Sequence, residues 1–155
     1  MNKMVIQGML FTLTAAIGVG TATAGDFPTE KIVRPADSVP ATGDSAELVK
    51  LGEQLWFDKS LSKSGKTACA TCHESTKKRV NGIKKTFLDP YPHYVKMAKK
   101  KAHLESITAE GMVQFCMIVP MKADTFAWDS KELAALTAYT VEVVQPDYIA
   151  KRAKK

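Results

Sequence analysis

Hydrophobic positions along the chain gather into a few helix-length groups separated by polar, proline-marked stretches. Leu48, Leu51, Leu55 and Trp56 recur at helical spacing behind Asp44-x-x-Glu47, a capping-box pattern, so a helix is expected from Ser45 to about Phe57. Ser60 to Lys66 is polar and carries Gly65, which ends regular structure there. Val80 to Pro92 reads as a loop punctuated by Gly82, Pro90 and Pro92. Tyr94 to about Ala102 reads as a short basic helix, and Thr108 caps another that runs to about Met117. Asp129-x-x-Glu132 is a second capping box, opening a helix through Leu133, Leu136, Ala138, Tyr139 and Val143 that is expected to stop before Pro146. No strand-like alternation of useful length occurs, so the expected fold class is all-α, with long functional loops and no internal repeat.

The N-terminus belongs to a different kind of segment. Lys3 precedes an apolar run from Met4 to Gly20, and Thr21-Ala22-Thr23-Ala24 supplies a small-x-small cleavage pattern. Residues 1–24 are therefore expected to be a secretory signal peptide, too short for a membrane span and followed by no stop-transfer charges. Residues 25–43, with Pro28, Pro35 and Pro40, read as an extended leader, and residues 44–155 as one domain. A composition of 45% hydrophobic and 25% charged residues without low-complexity tracts excludes disorder and fibrous repeats. The expected location is the periplasm, without a stable membrane anchor.

The net charge of +6 is local. Between His73 and His103 lie Lys77, Lys78, Arg79, Lys84, Lys85, Lys96, Lys99, Lys100 and Lys101, against only Glu74 and Asp89. In an exported protein such a stripe points to an acidic protein partner or an anionic membrane surface and not to nucleic acid. A solvated helix face is the plainer explanation of the same lysines.

Candidate chemistry centres on Cys69-Ala70-Thr71-Cys72-His73, the C-x-x-C-H pentapeptide of haem c attachment. Two thiols three residues apart on one turn can each add across a haem vinyl group, and the next imidazole is then placed against the iron. A thioredoxin-type motif would want a βαβ context, and a zinc site a second ligand pair; the pattern supplies neither. One covalently bound haem c is the expected cofactor.

Leu51-Gly52-Glu53-Gln54-Leu55-Trp56-Phe57-Asp58, Leu61-Ser62-x-Ser64-Gly65 and Cys69 to Glu74 together resemble the haem-attachment segment of class I c-type cytochromes, in the form seen in bacterial dihaem cytochrome c peroxidases. Cys116-Met117-Ile118-Val119-Pro120-Met121, then Asp129-Ser130 and Leu133 to Tyr139, resembles the C-terminal part of SoxA-type and thiosulfate dehydrogenase cytochrome modules. The resemblance implies class I cytochrome c-like helices wrapped around one haem. It also implies a close crossing of the first and last helices at Gly52 and Tyr139, and a proline carbonyl, from Pro90 or Pro92, accepting from the His73 imidazole.

His73 leaves a sixth iron position to fill. Met121 follows Pro120 in a loop before the last helix, 48 residues beyond His73, where class I cytochromes place their ligand. Met97, Met112 and Met117 compete with it, as do His93 and His103, which read as surface histidines. Cys116 reads as a buried small hydrophobe, with iron ligation or an intermolecular disulfide as alternatives. Trp56 and Trp128 are large enough to cover a haem edge. The expected site is thus Cys69, Cys72, His73 and Met121, with His73 and Met121 on the metal.

With both axial positions filled, the expected role is a periplasmic monohaem cytochrome passing single electrons between redox partners, a carrier and not an enzyme. Dihaem peroxidases need two haems, and the chain has one C-x-x-C-H. The alternatives are a haem subunit of a peroxidase or sulfur-oxidising system, and a haem-based gas or redox sensor.

Overall fold

A computed structural model describes residues 27–73 and 89–153. Helix α1, Ser45–Phe57, starts where Asp44 accepts a hydrogen bond from the Glu47 N–H at 3.1 Å. It buries Gly52 and Trp56. The haem motif forms a single turn, α2, Cys69–His73. Helix α3, Lys96–Ala102, begins two residues later than expected and ends on His103 in the left-handed conformation, φ 57°. Helix α4, Ala109–Ile118, is capped by Thr108, whose hydroxyl accepts from the Gly111 N–H at 3.1 Å. Among the described residues the architecture is helical, with no strand beyond an isolated bridge between His93 and Ile107. None of these helices is long and apolar enough to cross a membrane.

The last helical stretch departs from expectation at both ends. Helix α5, Lys131–Tyr139, is capped by Ser130, which accepts from Leu133 N–H at 3.2 Å, and not by Asp129. A hydroxyl caps as well as a carboxylate, and the helix buries Leu133, Ala135, Leu136 and Tyr139. Nor does Pro146 end the helix. A π turn, Thr140–Val144, intervenes, with Gln145 N–H bonded to Thr140 C=O, and α6, Gln145–Ala153, carries Pro146 in its first turn. Proline has no N–H and its ring crowds the carbonyl four residues back; a wider turn just ahead of it removes both conflicts.

Two apolar clusters flank α4. Ile32, Val95, Ala98, Ala102, Ile107 and Phe115 form the first; Trp56, Leu136 and Tyr139 form the second, with Val113 packed against it. Burying a side chain such as Phe115 or Leu136 contributes roughly 1.5–3 kcal/mol. Ile32 brings the N-terminal segment into the first cluster. Arg34 fastens it there with two hydrogen bonds to Glu110, at 2.9 and 2.6 Å, while its guanidinium lies 5.0 Å over the Trp128 ring.

The crossing of α1 and α5 positions the site. A Cβ on Gly52 would stand 2.2 Å from Ala135 O and 2.6 Å from Tyr139 Cβ, so only glycine lets the two helices approach this closely. Gly52 and Tyr139 thus meet where the family resemblance implies.

Candidate functional site

Trp56 on α1 links the helix crossing to the haem motif. Its ring centroid lies 5.4 Å from that of His73 and 5.7 Å from that of Tyr139. Between α1 and the motif the chain makes a tight return held by the buried Ser62. The Ser62 hydroxyl donates to Lys59 C=O at 3.0 Å and accepts from Thr67 N–H at 3.2 Å, and Gly65 supplies the left-handed residue, φ 65°. The Ala68 N–H donates to Thr71 Oγ1 at 2.9 Å, which starts the motif turn. Cys69 and Cys72, three apart on that turn, share one face.

A second wall comes from α4 and the loop behind it. Met112, Val113, Cys116 and Met117 recur at spacings of four, a stripe along one side of the helix. Past Ile118 the chain folds back so that the Met121 N–H donates to Cys116 C=O at 3.1 Å and the Ala123 N–H to Met117 C=O at 3.0 Å. Lys122 makes this turn in the left-handed conformation, φ 56°. Lys63 N–H donates to Met121 C=O at 3.0 Å, so the loop ahead of the motif also holds the methionine backbone.

The two walls enclose an apolar cleft of about 660 Å³, its solvent-open mouth included. Cys69, Cys72, His73 and Met121 all line it, as do Trp56, Leu136 and Thr140. Burial pushes the Cys69 thiol up to about 11 and the Cys116 thiol up to about 12, so both are neutral at ordinary pH. Apolar walls, two thiols on one turn, an imidazole and thioethers form a donor set that fits a c-type haem.

Of the competing ligands, Met97 is 48% exposed and lies outside the cleft, whereas Met112 and Met117 line it. His103 caps α3 at the surface, and His93 stacks on Tyr91 at 4.4 Å; neither histidine lines the cleft. The Pro90 carbonyl lies 3.3 Å from His93 Nδ1, so among the two prolines offered as partners of His73 this one is directed to a different imidazole. Trp56 lines the cleft, and Trp128 instead takes the Arg34 contact. Lys96, Lys99, Lys100 and Lys101 sit on α3 away from the cleft lining. The other five basic residues of the stripe, and the expected signal peptide, lie outside the described residues.

Cys116 lines the cleft together with the motif cysteines, as a free, half-buried thiol. Tyr91, also in the lining, was legible only as part of a proline-rich loop; its phenol is held above its ordinary value by burial. The spacing of Met112 and Cys116, and of Val113 and Met117, is a signal that could have found the α4 stripe, which the reading of single residues missed.

The model of the di-haem cytochrome c peroxidase family matches residues 46–144. The methylamine utilization protein MauG of Methylophilus methylotrophus is 35% identical over 83 residues, covering 51% of this chain and 24% of that protein. MauG of Methylorubrum extorquens is 41% identical over 78 residues, 45% of this chain and 22% of that one. The cytochrome c551 peroxidase of Nitrosomonas europaea is 36% identical over 61 residues, 39% and 18%. The chain thus spans a quarter or less of the length of these relatives. No solved structure matches it. The expectation of a carrier outside any enzyme is corrected by these matches, which are to an enzyme family. The family binds c-type haem in pairs, while this sequence carries one attachment motif. From the match over residues 46–144, the chain belongs to the di-haem cytochrome c peroxidase family.

Proposed function

We propose that this chain is the electron-delivering haem unit of a peroxidase-type enzyme system, working in the periplasm beside a second haem carried elsewhere. The observation that carries this reading is the convergence of Cys69, Cys72, His73 and Met121 on one apolar cleft in a chain of this family. A c-type haem bound there supplies a one-electron ferric/ferrous couple. Cys69 and Cys72 would tether it as thioethers, and His73, its ring 5.4 Å from that of Trp56, would supply the imidazole that holds the iron. Met121, 3% exposed and in the cleft lining, would supply a second, thioether ligand and would keep water and peroxide from the iron. The apolar walls exclude water, which keeps reorganisation on electron transfer small. The lysines of α3, with those of residues 77–85, would meet an acidic redox partner.

Stopped-flow mixing tests the reading. Ferrous holoprotein should be oxidised rapidly by a high-spin c-haem peroxidase pretreated with hydrogen peroxide, and far more slowly by peroxide alone. Opposite charges predict a rate that falls as ionic strength rises from 0.01 to 0.1 M, where the Debye length shortens from roughly 30 to 10 Å. Lys99, Lys100 and Lys101 changed to Glu should slow the reaction without altering the spectrum. Equal rates with and without the peroxidase would overturn the proposal.

A further inference from the structure

Two buried methionines, Met117 and Met121, line the cleft, exposed by only 4% and 3%. Met117 is fixed on α4; Met121 depends on the course of the loop between α4 and α5. That loop is anchored near its start by the backbone bonds of Met121 and Ala123 to α4 and of Lys63 to Met121. Near its far end it is anchored by a side chain. Gln114 is completely buried on α4, one residue from the cleft-lining Val113. Its Nε2 donates to Phe126 C=O at 2.8 Å and its Oε1 accepts from Phe126 N–H at 2.9 Å.

Both bonds go to the two backbone groups of a single loop residue, five positions beyond Met121. A buried amide left without partners is strongly disfavoured, and so are a buried backbone N–H and C=O. The arrangement therefore tolerates one loop position. An apolar residue at 114 would fill the space and packing of Gln114 but would release Phe126.

We propose that Gln114 is the positioning residue that holds Met121 toward the haem, by buckling the loop to α4 through Phe126, and that it thereby selects Met121 over Met117 as the iron ligand. The proposal rests on the reading of Met121 as the distal ligand. Gln114 itself touches neither the cleft nor any reacting atom.

The test uses the holoprotein and three variants. The readouts are the near-infrared methionine-to-iron band of the ferric protein and carbon monoxide binding to the ferrous one. Gln114→Met, matched in length but unable to bridge Phe126, should lose most of the band and raise the carbon monoxide-accessible fraction by roughly tenfold. Phe126→Ala removes the ring while leaving both backbone groups to Gln114, and should keep the band. Met121→Ala should lose it. If Gln114→Met gives no holoprotein, Gln114→Leu carries the same test, since it too removes both bonds to Phe126. Loss of the band in Met121→Ala with full retention in the Gln114 variant overturns the positioning role alone. Retention of the band in Met121→Ala overturns the ligand reading and this proposal with it. Equal losses in the Gln114 and Phe126 variants would reduce Gln114 to loop packing and overturn the role as well.

Discussion

Gly52→Ala adds one methyl group at the point where α1 and α5 cross. That Cβ would lie 2.2 Å from the Ala135 carbonyl oxygen, 2.6 Å from Tyr139 Cβ and 2.8 Å from Ala135 C, against 3.4–4 Å for ordinary contact. Two of the three obstacles are backbone atoms, which cannot rotate aside as a side-chain tip can, so the helices must separate by more than 1 Å. Overpacking of a core by one methyl costs about 1–3 kcal/mol when side chains can adjust, and here the upper end is expected. Alanine's better helix propensity returns no more than about 1 kcal/mol. A net loss of about 2 kcal/mol lowers Tm by roughly 8 °C in a domain of this size. The damage should also reach the haem. Trp56 leaves the same helix one turn later and packs between His73 and Tyr139, so the Soret circular dichroism should change before the global melt. Thermal denaturation of purified holoprotein, followed in both the far-ultraviolet and the Soret bands, measures both effects. A variant that melts with the wild type, with an unchanged Soret signal, would refute the reasoning about this crossing.

Met121→Ala should abolish the methionine band and open the ferrous haem to carbon monoxide, while Met121→His should lower the potential, because imidazole favours ferric iron over thioether; an optical redox titration separates the two. Arg34→Ala removes a two-bond ion pair to Glu110, in which both side chains are about one-fifth exposed, together with the contact to Trp128. It should cost about 1–2 kcal/mol, seen as a lower urea midpoint at unchanged m. Burial pushes the Cys116 thiol up to about 12, from an ordinary value near 9. The unfolded chain therefore ionises first as pH rises, and stability from this group is intact below about pH 9 and declines above it. Iodoacetamide labelling of Cys116 in the native holoprotein should stay flat from pH 7 to 9, while labelling of the urea-unfolded protein rises.

Most of the helical framework was legible because its signals are local. Asp44, Thr108 and the apolar spacing of α1 and α4 each specify a start and a face, and the structure places the first helix within the expected bounds. The C-terminal helix was misread where two local signals competed. Asp129 and Ser130 are both good caps, and it is the Ser130 hydroxyl that takes the Leu133 N–H; Pro146 reads as a stop unless a π turn absorbs it. For the site, C-x-x-C-H is a contiguous motif and hence visible, while the lining by Tyr91 and Cys116 arises from tertiary folding of a loop and from the rotation of α4. Of the two haems that the family name implies, the sequence carries an attachment motif for one.

A haem joined to this polypeptide at Cys69 and Cys72 is the first requirement of the proposed function. The measurement that meets that claim most directly is the haem content of the purified protein after acid-acetone extraction, read as a pyridine haemochrome. One haem per chain, retained on the polypeptide with the spectrum of two thioether links, is predicted, and Cys69→Ser or Cys72→Ser should shift or abolish it. Haem released into the acetone, or a protein matured in a c-haem-attaching host that carries none, would contradict the account.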